Sequence, residues 1–298
     1  GEVVTHNNIA MYRQLAGGLT TAMIKHGSAN PIGGENVIVK MRWGGLPDEL
    51  ILDDAPRLVK FALGENPKRC CYEDRYPNTR MGTQAIIRDH FMAARDYERA
   101  WRRWEETGEG LPPRRDLRME AILDILNQEL LISSHGYRAD GYLALIRLAE
   151  EFGFRVQTLQ HAVEAYKIAP ELARAGVAAA VWSDWGAFKM EAYDATKYNA
   201  RILMEAGVTV SLHSDNGQIA SRIGTSDPSG NATIDPSCAP WEIDAVSSTG
   251  PTNVSPIESS ASTSSRCTTV SQSLRSGCGA TTILPRTAAR TPWRGSWS

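Results

Sequence analysis

The chain lacks any apolar run that approaches the roughly 18 to 20 residues needed to cross a bilayer as a helix, so no transmembrane helix is expected and the chain reads as soluble, without a membrane partner. It also lacks a charge excess of either sign. Its 32 Lys and Arg stand against 34 Asp and Glu, a formal net charge of -2, which argues against electrostatic capture of nucleic acid or an anionic surface. A small neutral or zwitterionic molecule fits better as a partner. Cysteine is scarce: there are five in 298 residues, Cys70 and Cys71 adjacent, and Cys238, Cys267 and Cys278 in a poorly patterned tail. With no CxxC pair, neither a disulfide scaffold nor a cysteine-built zinc knuckle is expected. No GxGxxG follows a strand-like run, and the Gly27 to Gly34 segment lacks the GKS or GKT ending of a phosphate loop; a rigid loop at the mouth of a barrel is the better reading. The opening Gly1-Glu2-Val3-Val4 shows neither an initiator Met nor a charged-then-apolar leader, so localisation is not legible.

What is present, from residue 1 to about 221, is an alternation of short β-type runs with amphipathic helical stretches, the signature of a parallel sheet wrapped by helices. Leu130 to Ser134 runs into His135, and Ala139 to Phe152 then spaces Leu143, Ile146, Leu148 and Phe152 helically before Gly153. Val156 to Gln160 runs into His161; Glu164 to Arg174 is helical with a kink expected at Pro170, closed by Gly176. Val177 to Trp182 is the next strand, Thr196 to Ala206 the next helix, closed by Gly207, and Val208 to Leu212 leads into His213-Ser214-Asp215. Leu19 to Lys25 and Leu58 to Leu63 read as earlier strands. The charged stretch from Met81 to Glu106 reads as an exposed helix with a solvated face.

The predicted class is therefore α/β, an incomplete TIM-like (β/α) barrel spanning residues 1–221. From 222 to 298 about a third of the residues are Ser or Thr, Pro and Gly recur, and neither hydrophobic period survives. This tail reads as a low-structure segment: either a disordered linker, against which Trp241, Trp293 and Trp297 are unusual, or a stretch foreign to the barrel, as a shifted reading frame would produce.

In parallel barrels the functional groups sit where strands end, because all the carboxyl ends open on one face. His135, His161 and Asp215 each fall at or just past such an end, so three candidate metal ligands converge without being neighbours in sequence. A strand-end histidine taken alone is commonly a hydrogen-bonded structural residue; two in successive units point to a metal. Imidazole suits zinc and similar borderline cations, and the Asp215 carboxylate can complete the site or act as the base beside it.

The stretches Gly17-Gly18-Leu19-Thr20-Thr21 and Gly27 through Gly34, Leu63-Gly64-Glu65-Asn66-Pro67-Lys68-Arg69, Thr79-Arg80-Met81-Gly82, Ser134 through Asp140, Gln160 through Tyr166 and His213-Ser214-Asp215 occur in this order. In them the chain resembles the imidazolonepropionase-like branch of the amidohydrolase superfamily. The resemblance covers about residues 1–221 and implies a TIM-like barrel holding strands two to eight, with a mono- or binuclear divalent metal centre, zinc by default. In it the histidines after strands five and six, here His135 and His161, bind metal, and the aspartate after strand eight, here Asp215, binds metal and moves protons. An earlier strand supplies a glutamate in some branches and a carboxylated lysine in others; the candidates are Glu65 and Lys60. Alternation of side chains along a strand sets these two on opposite faces and leaves Glu65 nearer the carboxyl end, which favours Glu65. A carboxylate merely capping the following turn is the other reading of Glu65.

Two departures follow from that resemblance. The family's first strand ends in a His-x-His pair, which this chain does not contain; His6 and His26 are single. The chain is thus expected to be truncated at its start, to bind metal weakly or not at all and to be inactive as it stands. The tail, moreover, stands where the last barrel helix and the flanking β-sandwich are expected. The implied chemistry is hydrolysis of an amide or cyclic amide C–N bond by a metal-activated water, with Asp215 accepting its proton and passing it to the leaving nitrogen. Arg80, Lys68 and Arg69 are candidates for holding a substrate carboxylate or are simply solvated charges; Tyr137 and Tyr166 line the pocket or pack beside it. A noncatalytic binding module on a degraded barrel is the rival reading, and a doubly wound nucleotide binder the third. Substrate, metal identity and oligomeric state do not follow from the sequence, and a homo-oligomer stays open.

Overall fold

A computed structural model of the chain describes residues 4–69, 75–182 and 186–212. The tail, the proposed boundary at residue 221, Asp215 and all five cysteines lie outside the described residues. Helix α1 (Ile9–Ala16) starts at Asn8, whose side chain accepts a hydrogen bond from the Ala10 amide and so satisfies one of the free amides of the first turn. Strands β1 (Thr21–Ile24) and β2 (Ile32–Lys40) form an antiparallel hairpin, and the single turn α2 (Pro47–Leu50) follows. Then come β3 (Leu58–Ala62), the short α3 (Glu65–Arg69), the long α4 (Arg80–Thr107), α5 (Leu117–Leu126), β4 (Leu131–His135), α6 (Ala139–Phe152) and β5 (Val156–Gln160). Helix α7 (Ala169–Ala175), β6 (Ala178–Val181), α8 (Asn199–Glu205) and β7 (Val210–Leu212) complete the described order.

Among the described residues the sheet has seven strands in strictly sequential order, and β3 to β7 are all parallel. A doubly wound sheet reverses its strand order at a switch point; the unbroken order here is that of a barrel wall, and the architecture is an incomplete TIM-like barrel. The doubly wound reading fails on this topology. β2 joins β3 antiparallel, so the wall begins with a hairpin instead of two strand–helix units. The sequence reading placed no strand at Ile32–Lys40. Its first turns look like loop because Gly33 and Gly34 carry no side chain, yet the Gly34 amide donates to His26 Nε2 at 2.7 Å and the Ala62 amide donates to the Pro31 carbonyl at 3.0 Å. Those bonds fix the Gly27–Pro31 loop beside the carboxyl end of β3.

The helices stop where expected: Gly153, Gly176 and Gly207 take φ of 82°, 66° and 86°, a region open to glycine at little cost. Pro170 splits its segment into a 3-10 turn (Ala165–Ile168) and α7, with the proline in the first turn of α7, where its missing N–H costs nothing. The charged α4 buries only Gly82, Thr83, Ile87, Phe91 and Ala94, all within its first fifteen residues, and the rest is half-buried or exposed.

The core lies between the outer face of the sheet and the helices. Val59, Phe61, Leu63, Ile132, Leu159, Ala179 and Val181 meet Ile87, Phe91, Tyr142, Leu145, Leu172 and Leu203. Phe91 stacks on Phe154 at 4.5 Å between ring centroids and tilts against Phe61 and Phe152 at 6.4 and 5.5 Å. The N-terminal hairpin has a small cluster of its own, Val4, Met11, Val39 and Leu50. Since Phe91 locks α4 onto the sheet at full burial, Phe91→Ala is expected to cost about 3–5 kcal/mol in denaturant unfolding; a loss under about 1 kcal/mol, the size of a surface change, would contradict this packing.

Candidate functional site

The inner face of the sheet carries different residues. Lys60 pairs in register with Ser133 and Ser133 with Thr158; Ala62 pairs with His135 and His135 with Gln160; β6 adds Ala178 and Ala180, and β7 adds Ser211. In-register residues of parallel neighbours share a face, so polar and small side chains fill the barrel side while apolar ones fill the helix side. His135 is the last residue of β4 and His161 the first after β5. Their rings lie 4.6 Å apart at 76°, and both residues are almost fully buried. Tyr137 stacks on His161 at 5.3 Å and meets His135 edge-on at 4.9 Å, while Trp182, just past β6, lies 4.4 Å from the His161 ring.

Neither ring nitrogen of His135 has a hydrogen-bond partner, nor does Oε1 of the neighbouring Gln160, whose Nε2 donates to Ser133 Oγ at 3.1 Å. Buried polar atoms are paired in the great majority of cases, so two such residues side by side on the inner face stand out. Burial, then the positive charges of Lys60 and Lys189, holds the His135 pKa well below its ordinary value. A neutral imidazole, with the lone pair of its unprotonated nitrogen available, is the form that binds a metal.

Around this pair the loops are tied together. Glu164 Oε2 accepts from the Ala139 amide at 2.9 Å at the start of α6, and its Oε1 lies 3.2 Å from Lys167 Nζ. Across the mouth, Glu191 is 1 % exposed and accepts a fork from Arg80, Nε at 2.8 Å and Nη2 at 2.7 Å, and a third bond from the Glu65 amide at 3.1 Å. A side chain at Gly64 would press on the Glu191 carboxylate, and Gly64 has φ of 76°, so glycine is required there for both space and conformation. Lys189 Nζ reaches Glu65 Oε1 at 3.1 Å and Asn66 Oδ1 at 2.9 Å and lies 3.9 Å from the centre of the Tyr137 ring. The loop after β6 is thereby pinned to the loop after β3.

The structure brings His135, His161 and Tyr137 together. Lys60 sits buried on the inner face beside Ser133, while Glu65 lies on the first turn of α3. The alternation that separated these two ends at Ala62, before Gly64 turns the chain, so strand parity does not reach Glu65. Arg80 opens α4 and lines, with Leu63, Tyr137, Arg138, Asp140 and Gly141, a cleft of about 160 Å³. Tyr166 turns its hydroxyl to the Asp194 carbonyl at 3.0 Å, within the cluster of loops near α8. Asp215 lies outside the described residues. Among those residues no group of three or more His, Cys, Asp or Glu is placed to hold a metal, and no helix is long and apolar enough to cross a membrane. Gln160, Trp182, Lys189 and Glu191 escaped the sequence reading. The first two stand at strand ends, the position that singled out the histidines, and could have been found by it; the latter two act through contacts more than 100 residues away and leave no local signal.

The donor set of two histidines and a glutamine oxygen fits a borderline divalent cation better than a hard one. No family model matches the chain. It is similar to an amidohydrolase, tasK, of Hapsidospora irregularis, 32% identical over 224 residues, which is 67% of this chain and 23% of the relative. It is also similar to the crystal structure of an amidohydrolase from Thermotoga maritima MSB8, with a TM-score of 0.66 and 36% identity over 72% of this chain and 56% of that one. The chain thus spans about a quarter of the curated relative's length. Both of these proteins are described as amidohydrolases.

The depressed pKa of His135 has a signed consequence for stability. Below the ordinary histidine pKa of about 6.5 the unfolded chain takes up a proton that the folded chain refuses, so stability falls with pH by up to about 1.4 kcal/mol per unit until the folded pKa is reached. Unfolding of the metal-free chain at about pH 7 and about pH 5 should show this loss, and His135→Gln should flatten it; equal slopes in both chains would contradict it.

Proposed function

We propose that this chain, whose homologues are amidohydrolases, carries the strand-five and strand-six part of a metal-dependent centre that hydrolyses C–N bonds of small amides or cyclic amides. The imidazolonepropionase-like motifs make that branch the preferred assignment. One observation carries the reading: two buried imidazoles at the ends of adjacent parallel strands lie 4.6 Å apart, and both nitrogens of the first lack a hydrogen-bond partner. His135 and His161 would hold a divalent metal, zinc by default, with Gln160 or Glu65 adjacent and Asp215 completing the set. When bound, that metal supplies a Lewis acid that polarises a carbonyl and acidifies a water.

The chain's own residues do the rest. Burial and the facing ammonium groups keep His135 neutral, as a ligand must be. Tyr137 and Trp182 wall the pair from bulk water, raising the strength of every charge interaction inside. Asp215 accepts a proton from the attacking water and returns it to the leaving nitrogen. Arg80, held by Glu191 and half exposed to the cleft, offers its remaining guanidinium edge to a substrate carboxylate. Lys60 is the earlier-strand residue on the inner face beside the pair; carboxylated, as in some branches of the superfamily, it would exchange a positive charge for a negative one where a cation is to sit.

A second reading, a noncatalytic binding module on a degraded barrel, is favoured by one feature of the sequence, the missing His-x-His pair. Cobalt titration of the chain, followed by visible absorption, separates the two. Saturable binding is expected, weakened in His135→Ala and His161→Ala by more than the about 10–100-fold typical of losing an outer-sphere partner, without turnover of small amides by the chain as it stands. Absence of binding, or binding indifferent to both substitutions, would leave the binding module in its place.

A further inference from the structure

His161 and Ala162 both have left-handed backbone, with φ of 67° and 25°. Neither is glycine, so the conformation is costly for each and persists only where the surroundings enforce it. The enforcing group is 37 residues away. Asn199, at the start of α8 and 1 % exposed, donates from Nδ2 to the Ala162 carbonyl at 2.8 Å and to the Val163 carbonyl at 3.2 Å. Its Oδ1 accepts from the Tyr166 amide at 3.1 Å. Both polar atoms of one buried amide are thus spent on the backbone that leaves the end of β5. Ala162 is fully buried and Val163 packs with Tyr137, Trp182 and Ala192, so the turn cannot relax outward without opening that cluster.

We propose that Asn199 is a positioning residue for His161: it holds the strained His161–Ala162 turn, and through that turn it aims the imidazole at His135. The inference rests on His161 being a metal ligand only for its catalytic meaning; the positional claim concerns the backbone. Asparagine is required because the site calls for one donor group with two hydrogens and one acceptor on the same planar head. An aspartate of the same shape keeps the acceptor for Tyr166 and loses both donations, setting a charged oxygen against two carbonyls.

The test uses the full chain with histidine labelled at Cε1. The His161 resonance, identified by its disappearance in His161→Gln, is displaced in the native chain by the Tyr137, Trp182 and His135 rings that surround it. In Asn199→Asp it is expected to move away from that position, and zinc affinity to fall about 10–100-fold, the usual cost of losing a group that orients a ligand. Adding Ala162→Gly, which makes the left-handed turn inexpensive, should restore both in part. Asn199→Ser, shorter and uncharged, carries the same comparison if the aspartate variant does not fold. A lower melting temperature with an unmoved His161 resonance would overturn the proposal and make Asn199 a purely structural residue, and a displaced resonance that glycine does not restore would contradict the route through backbone strain. A resonance that moves and is restored, in a chain whose native form binds no zinc, would uphold the positioning and refute the hydrolase reading instead.

Discussion

Parallel strands in register put every second residue of each on a common face, and in this wall the outer face is claimed by the helices. Val59, Phe61, Ile132 and Leu159 are held there by burial, which leaves Lys60, Ser133, His135, Thr158 and Gln160 to the inner face. The pairing of β4 with β5 contains one irregularity: Ile132 faces Val156, but Ser133 faces Thr158, so one residue is inserted in β5. Strict alternation would turn Thr158 and Gln160 to the same face as Val156, which packs in the outer core. The inserted residue reverses that parity, as a one-residue shift must, and brings Gln160 beside His135 with His161 one step further on. The site's convergence depends on this register more than on any single contact.

Charge follows from the same geometry. Lys60 on the sheet and Lys189 from the loop after β6 both act on His135, and Glu65 and Glu191 stand across the mouth with Arg80 and Lys189 as their partners. The result is a buried neutral imidazole near paired charges, whose unprotonated nitrogen keeps its lone pair available. Such pairs are retained at a desolvation cost, and here they also tie the loops after β3 and β6, whose strands are separated by two others in the sheet. At the mouth of the barrel these two loops are thereby held together by Lys189–Glu65 and by Glu191, which accepts from the Glu65 amide.

What could be read from the sequence is what repeats locally. The strand–histidine pattern at Leu131–His135 and Val156–His161, the helix at Ala139–Phe152 and the closing glycines 153, 176 and 207 lie where hydrophobic period and turn chemistry indicated. The β2 strand was missed because its start is Gly33-Gly34, and glycine is there to admit the His26 ring, which a side chain at Gly33 would strike. Glu65 was set against Lys60 by an alternation that Gly64 interrupts. Asn199 and Glu191 were invisible because their partners are 36 and 126 residues distant, and a loop-to-loop hydrogen bond imposes no pattern on the residues around it. Asp215 and the tail after 221 lie outside the described residues.

The central claim is that His135 and His161 together hold a metal at the open end of the strands. The direct measurement is an anomalous difference map, recorded on either side of the zinc absorption edge, from crystals of the zinc-soaked chain. The account predicts a peak about 2.0–2.1 Å from one nitrogen of each imidazole, the usual zinc–histidine distance. A map with the two rings well ordered and no peak between them, or with zinc bound only at surface residues, would contradict it.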